Sequence, residues 1–285
     1  MSNASKTCLV VGGRGYLGGE LISYLQKAGW RAISASRRSK EPGDIAYSLG
    51  GEFPPGALEG IDAIVHCAYD FAPSTWNEIE EKNVQGTKRL LDQVTRAGIK
   101  NIITISSISA FPGCKSLYGK AKLLTEEATL AVSGVALRPG LIYGGSDQGM
   151  YGKLEAQVNR GKPIPLLTGS SCTQFLVNVE DLCRVIEAIL SGKVPKPTEV
   201  WTVANPEPWP LRQLLLAIAG DRKISFIPVP WQPVWLALRT AEILGLKLAF
   251  KSDSVRSIIY QNKSPDLHHV PAAGIELRSF RSHAD

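Results

Sequence analysis

Residues 7–38 read TCLVVGGRGYLGGELISYLQKAGWRAISASRR, and the order of textures in this stretch decides the fold. The apolar run 8–11 has the unbroken hydrophobicity of a strand buried on both faces. Gly12, Gly15 and Gly18 follow at three-residue spacing, and Leu17, Leu21, Ile22 and Leu25 then recur at helical intervals. A second strand is expected over 31–36, which completes a β-α-β unit. The glycines divide the work of such a turn: a sharp bend, room for backbone beside a pyrophosphate, and close contact of helix with strand. The helix N-terminus adds free N–H groups and partial positive charge. A glycine pattern alone is weak, but one that follows a strand, opens a helix and precedes a second strand reads as a dinucleotide cradle.

The end of the second strand discriminates between dinucleotides. An NAD site usually places a carboxylate there for the ribose 2′-OH, whereas this chain has Ser36, Arg37 and Arg38. With Arg14 inside the glycine turn, three guanidiniums could surround a 2′-phosphate, which suits their planar forks. The expectation is NADP(H), with NAD(H) possible.

Working outward, the composition is that of a globular chain: 285 residues, 44% hydrophobic and 20% charged. The net charge of +6 is scattered rather than blocked and comes with no nucleic-acid motif, so it is read as solubility and attraction for an anionic cofactor. Cys8, Cys67, Cys114, Cys172 and Cys183 are odd in number and contain no CxxC, and His66, His268, His269 and His283 show no ligand spacing. The expectation is a reduced, cytoplasmic chain without a metal site. No stretch reaches the roughly 18 uninterrupted apolar residues of a membrane span. MSNASK at the start lacks an apolar core and reads as a short tail.

Strands are expected over 63–68, 101–109 and 135–145, with a short one near 45–47. Helices are expected over 75–97 and 117–132. Strands alternating with helices of this length mean an α/β protein with a doubly wound parallel sheet, the Rossmann fold, and ligands bound at the carboxyl edge of the strands. From 146 the segments shorten and mix: helices near 151–160, 180–191, 211–219 and 233–248, and strands near 175–177, 200–204 and 224–228. This reads as a dinucleotide-binding domain over 1–145 and a smaller, mixed α/β substrate-binding lobe over 146–285, parts of which can return to the first sheet. Trp201, Trp209, Trp231 and Trp235 fall in the last third, and an aromatic wall for an apolar substrate is one use for them.

Tyr118 and Lys122 stand four apart at the start of a helix and project from one face, and Ser107 ends a strand whose carboxyl end meets that face. Carbonyl reduction needs a proton donor beside the oxygen. A phenol of ordinary pKa, about 10, becomes one at neutral pH if an ammonium such as Lys122 and a positive nicotinamide favour its ionised form, while Ser107 holds the substrate oxygen.

The ordered series GGRGYLG, HCAY, NVQGT, SSISAF, YGKAK, LRPGLIYG and QFLVNVEDL, over residues 7–205, resembles the extended short-chain dehydrogenase/reductase superfamily, in its NAD-dependent epimerase/dehydratase and 3β-hydroxysteroid dehydrogenase-like group. The resemblance implies Ser107, Tyr118 and Lys122 as the catalytic set, with Asn83 as a fourth member. It implies Gly12, Arg14, Gly15, Tyr16, Leu17 and Gly18 on the pyrophosphate side, and Ala68, Arg138 and Pro139 along the cofactor or strand ends. Lys122 is also expected on the nicotinamide ribose. Three departures narrow the reading. Ser36 replaces the usual acid. Ile108 and Ser109 follow Ser107 where sugar dehydratases carry Asp-Glu, and Thr173 stands where epimerases often place a diphosphate-gripping arginine. The reading is an NADP(H)-dependent oxidoreductase on a small alcohol or ketone, with a nucleotide-sugar epimerase that keeps its NAD(P), or a non-catalytic NADP-sensing protein, as alternatives. Its partner is a small-molecule substrate, not nucleic acid; a homodimer is possible.

Overall fold

A computed structural model describes residues 5–37, 41, 43–146, 148–168, 172–246, 248 and 250–281. The glycine turn lies between β1 (Thr7–Val11) and α1 (Tyr16–Lys27), followed by β2 (Arg31–Ser36), the short β3 (Ile45–Ala46) and β4 (Ala63–His66). Next come α2 (Trp76–Ile79), a π-helical stretch (Glu80–Gln85), α3 (Gly86–Arg96), β5 (Asn101–Ile105), α4 (Leu117–Ala131) and β6 (Val135–Pro139). The second half contains β7 (Leu141–Tyr143), α5 (Gly149–Asn159), β8 (Ile164–Thr168), β9 (Thr173–Asn178), α6 (Val179–Ser191), β10 (Trp201–Val203) and β11 (Pro208–Pro210). It ends with α7 (Leu211–Ala219), β12 (Phe226–Pro230), α8 (Trp231–Ile243), α9 (Ser252–Ile259) and α10 (His269–Ala272).

Seven strands form one sheet in the order β10-β6-β5-β4-β1-β2-β3, every pair parallel. The order reverses between β1 and β4, so the crevice for a dinucleotide opens at their carboxyl ends. β1 and β4 are buried throughout, as their continuous apolar runs require. One apolar core joins α1 and α6 to one face of the sheet through Leu21, Leu25, Leu182 and Ile186; on the other face α3 buries Leu90, Leu91 and Val94. The second half thus contributes β10 to the first sheet and α6 to one of its faces. Its own small sheets are β11-β9-β7 and β12-β8.

The structure departs from the sequence expectation in several elements: β8, β11 and α10 were not expected, and the strand expected over 101–109 ends at Ile105. The strand expected over 135–145 divides at Gly140, and β7 joins the sheet of β9. A side chain at Gly140 would collide with the Phe175 carbonyl and lie 2.9 Å from Ala204 Cβ, so the chain can change sheets only through a residue without one. The helix expected over 75–97 carries the π-helical stretch in its middle, and local periodicity does not distinguish that from α-helix. Helix α9 lies beyond the last segment that the periodicity resolves.

Candidate active site

The cradle is a backbone arrangement. Gly12 has φ +86° and its N–H donates to the Ala35 carbonyl at 2.8 Å, while the Gly15 N–H donates to the Gly12 carbonyl at 2.9 Å. A Cβ on Gly12 would stand 2.8 Å from the Ala68 nitrogen, and one on Gly18 would run into the Gly12 carbonyl. The first and third glycines therefore fix the turn and the fit of helix on strand, as read from their spacing. Gly12, Arg14, Gly15, Tyr16, Leu17 and Gly18 all line one cavity of about 1500 Å³ that runs along the carboxyl edge of the sheet. Tyr16 has a further duty: its hydroxyl donates to the Gly144 carbonyl and ties α1 to the turn after β7.

At the far end of β2 Ser36 holds the strand-end position, but a carboxylate reaches the neighbouring Arg14 from another segment. Pairing of Ser36 with Ala46 brings Asp44 alongside Arg14, whose Nε donates to Asp44 Oδ2 at 3.0 Å and whose Nη2 also bonds that oxygen. Asp44 lies in a stretch without legible periodicity, so its arrival depends on a two-residue strand. Ser36 and Arg37 line the cavity here, and Arg37 is exposed. Arg38 lies outside the described residues.

At the other end β5 stops at Ile105, and the chain turns through Ser106 and Ser107 toward α4. Ser116 caps that helix, accepting from the Gly119 N–H at 3.0 Å. Asp253 of α9 adds a second cap from 135 residues away: its two carboxylate oxygens accept from the N–H groups of Leu117 at 2.7 Å and Tyr118 at 3.0 Å. Ser107 hydrogen-bonds the Tyr118 phenol. Lys122, one turn on, is buried, and its Nζ donates to the Ile105 carbonyl at 2.8 Å and lies 5.9 Å from the centre of the Tyr118 ring. Ser107, Tyr118, Lys122, Ala68 and Pro139 all face the same cavity.

The electrostatics differ from expectation. Burial pushes the Tyr118 phenol up to about 12, an effect only partly offset by the bond to Ser107. Burial also takes the Lys122 ammonium down to about 8, against the pull of Cys67 and Glu126. Lys122 is anchored on a carbonyl, and the chain's own groups leave Tyr118 protonated at neutral pH, ready to donate.

Asn83 is brought near but not into the cavity. Its Oδ1 accepts from the Asp70 N–H at 2.7 Å and its Nδ2 donates to the Asp70 carbonyl at 3.1 Å, so both ends hold the loop after β4. Arg138 likewise turns away: its Nε and Nη2 grip the buried Glu126 at 2.8 and 2.6 Å, and Ser106 donates to the same carboxylate. His66 is buried beside Lys122. Thr87 gives its proton to the Asn83 carbonyl at 2.7 Å, so it accepts from His66 Nε2 at 3.0 Å and leaves Nδ1 bare. Burial takes that imidazole down to about 3, and Lys122 adds to the effect.

Several contributors escaped the sequence reading. Tyr69 sits edge-on to Tyr118 at 4.9 Å between centres, and Phe71 stacks at 5.9 Å. Lys251 Nζ donates to three carbonyls of one loop, Phe71 at 2.6 Å, Ala72 at 3.0 Å and Pro73 at 2.8 Å. Arg239 and Arg256 also reach the cavity wall, beside Leu154, Leu211 and Ile258. Of the four tryptophans of the last third only Trp235 lines the cavity; Trp201 is core and Trp209 packs on Phe280. Thr173 donates its N–H to Gln261 Oε1 at 3.1 Å.

A model of the NAD dependent epimerase/dehydratase family matches residues 8–204. A UDP-glucose 4-epimerase of Vibrio cholerae is 27% identical over 289 residues, covering 88% of this chain and 84% of that protein. A 3β-hydroxysteroid dehydrogenase/Δ5→4-isomerase of Mycobacterium tuberculosis is 30% identical over 201 residues, covering 56% of this chain and 53% of its own. The fold matches that of a UDP-glucose 4-epimerase of Thermotoga maritima solved with UDP-glucose, at TM-score 0.66 and 18% identity, over 89% of this chain and 97% of the other.

Proposed function

This chain belongs to the NAD dependent epimerase/dehydratase family, and from that premise we propose that it is a dinucleotide-dependent oxidoreductase acting on an alcohol or ketone. The observation that carries the reading is the convergence of Ser107, Tyr118 and Lys122 on one cavity with the glycine cradle, where Gly12 meets Ala68 with no room for a side chain. A bound dinucleotide would supply or accept hydride. The phenol of Tyr118 gives a proton to the substrate oxygen in reduction and takes it back in oxidation, and Ser107 holds that oxygen. Lys122, fixed by the Ile105 carbonyl, orients the ribose of the cofactor and lends positive charge when Tyr118 ionises.

Ser36 and Arg37, with Arg14, support a preference for NADP(H), since each guanidinium contact to a phosphate contributes about 1.5 to 3 kcal/mol. The Arg14–Asp44 pair is the observation that favours NAD(H), because it places a carboxylate near the same end and neutralises one cation. A nucleotide-sugar epimerase is the second reading of the reaction, favoured by Arg239 and Arg256 at the substrate end and by the relative that aligns over most of its length. The test is a thermal-shift screen with saturating dinucleotide. Stabilisation and turnover with apolar ketones or alcohols support the oxidoreductase, and stabilisation by UDP-sugars alone turns the assignment to the epimerase. Tyr118→Phe should bind dinucleotide normally and lose about a hundredfold or more in turnover, as expected of a missing general acid.

A further inference from the structure

The chain's last segment returns to the edge strand β10 through α10, and His269 at the start of α10 is buried against Trp201 with ring centres 5.9 Å apart. Nothing in the proposed chemistry uses this imidazole, and burying one that makes no hydrogen bond costs free energy. Its side chain is 9% exposed and its Nδ1 has no hydrogen-bond partner. Its Nε2 lies 2.9 Å from a carboxylate oxygen of Glu199, off the line of a hydrogen bond. Nδ1 faces Asp266 Oδ1 at 3.9 Å, beyond hydrogen-bonding reach. The Nδ1 of His268 contacts that same oxygen, and the two imidazoles overlap with centres 3.8 Å apart. One ligand atom from each of Asp266, His268 and His269 lies within 4.8 Å of the others, and none of the three residues lines the dinucleotide cavity. The run Asp-Leu-His-His carries no spacing that distinguishes it in sequence, because it is the turn into α10 that gathers the groups.

We propose that Asp266, His268 and His269 bind a first-row divalent cation of the zinc class. Two imidazole nitrogens and a carboxylate oxygen suit zinc and its neighbours, whereas magnesium and calcium prefer oxygen alone. Metal–ligand lengths of about 2.0–2.2 Å in a tetrahedron set neighbouring ligand atoms roughly 3.4 Å apart, so the His269–Asp266 separation needs to close by about half an ångström while the direct His268–Asp266 contact opens to let the ion between them. Glu199, beside Nε2, is the outer carboxylate that would accept from Nε2–H once the ring turns Nδ1 onto the ion, raising its basicity. Three protein ligands leave a position for water, and the exposure of Asp266 and His268 gives the ion a way in. Through the outer Glu199 the ion would tie the turn into α10 to the stretch preceding β10, so its effect is on the stability of the sheet edge.

The experiment uses the full chain after chelator treatment, titrated by calorimetry with zinc chloride and with magnesium chloride, and melted with and without each salt. The expected result is one equivalent of zinc bound with a rise in Tm, and neither with magnesium. His268→Ala and Asp266→Asn remove exposed ligands, so each should melt like the metal-free parent and bind dinucleotide unchanged, yet hold zinc about a hundredfold more weakly. Absence of stoichiometric zinc binding by the parent, or equal zinc affinity in parent and both variants, overturns the proposal.

Discussion

Replacing Asp253 is the most direct test of how the last third of the chain builds the catalytic end. The N–H groups of Leu117 and Tyr118 belong to the first turn of α4, where no intrahelical acceptor exists, and Asp253 takes both while Ser116 takes that of Gly119. Hydrogen bonds to a charged acceptor contribute about 1.5–3 kcal/mol each, and losing a side-chain cap costs about 0.5–2 kcal/mol. Both bonds are only partly buried, so water recovers some of the loss, and Asp253→Ala should cost about 2–3 kcal/mol. Asp253→Asn retains one accepting oxygen and should cost roughly half as much. At roughly 2–4 °C per kcal/mol the alanine variant should melt about 4–12 °C lower. Urea unfolding followed by far-UV circular dichroism gives the free energies. Turnover should fall further than dinucleotide affinity, because the displaced turn carries Tyr118 but not the glycine cradle. A cost below about 0.5 kcal/mol, or equal costs for alanine and asparagine, would refute the capping argument.

Other outcomes follow from the same geometry. Arg138→Met leaves Glu126 buried with only Ser106 as partner and should destabilise by about 3–5 kcal/mol, whereas Arg138→Met with Glu126→Gln should recover much of it; equal stability of the single and double variants in urea would refute the uncompensated-charge argument. Asp44→Asn frees Arg14 and should move selectivity toward NADP(H), while Arg37→Ala should move it the other way, both read by calorimetry with the two dinucleotides. Neutral His66 gives an acid signature. Its folded value of about 3 lies below the ordinary one near 6.5, so the unfolded chain takes up a proton first and stability falls as pH drops through that window, by up to about 1.4 kcal/mol per unit. His66→Gln should flatten the acid limb of the stability–pH curve, and identical limbs would show that the imidazole is protonated in the fold.

The parallel sheet and the cradle were legible because they are written in local, repeated terms: apolar runs of strand length, glycines at three-residue spacing, leucines at helical spacing. That Ser107, Tyr118 and Lys122 would face one cavity was legible through the order of short motifs. What was not legible was carried by single polar residues whose partners are remote. Asp44 meets Arg14 only through the two-residue β3, and Asp253 reaches α4 from a helix at the other end of the chain. Asn83 was expected in the catalytic set and Arg138 along the cofactor or strand ends, and neither lines the cavity. Direction separates a residue that faces the cavity from one that holds up its wall, and each of these side chains is turned onto the chain's own groups, Asp70 and Glu126.

Lys251 has a consequence for the order in which the molecule is completed. The hydrogen bonds of the glycine turn close within the first two strands, between groups no more than about thirty positions apart, and such contacts form early because little chain entropy is lost in making them. The loop of Phe71–Pro73 is held by an ammonium 178 to 180 positions downstream, and that loop carries the ring that stacks on Tyr118. During synthesis, therefore, the dinucleotide end can take shape while the wall over the reacting groups still waits for the last tenth of the chain. A Lys251→Met chain would keep the sheet and the glycine turn but lack the anchor for that loop. Binding of dinucleotide and catalysis should separate in that variant, which would retain the first and lose much of the second.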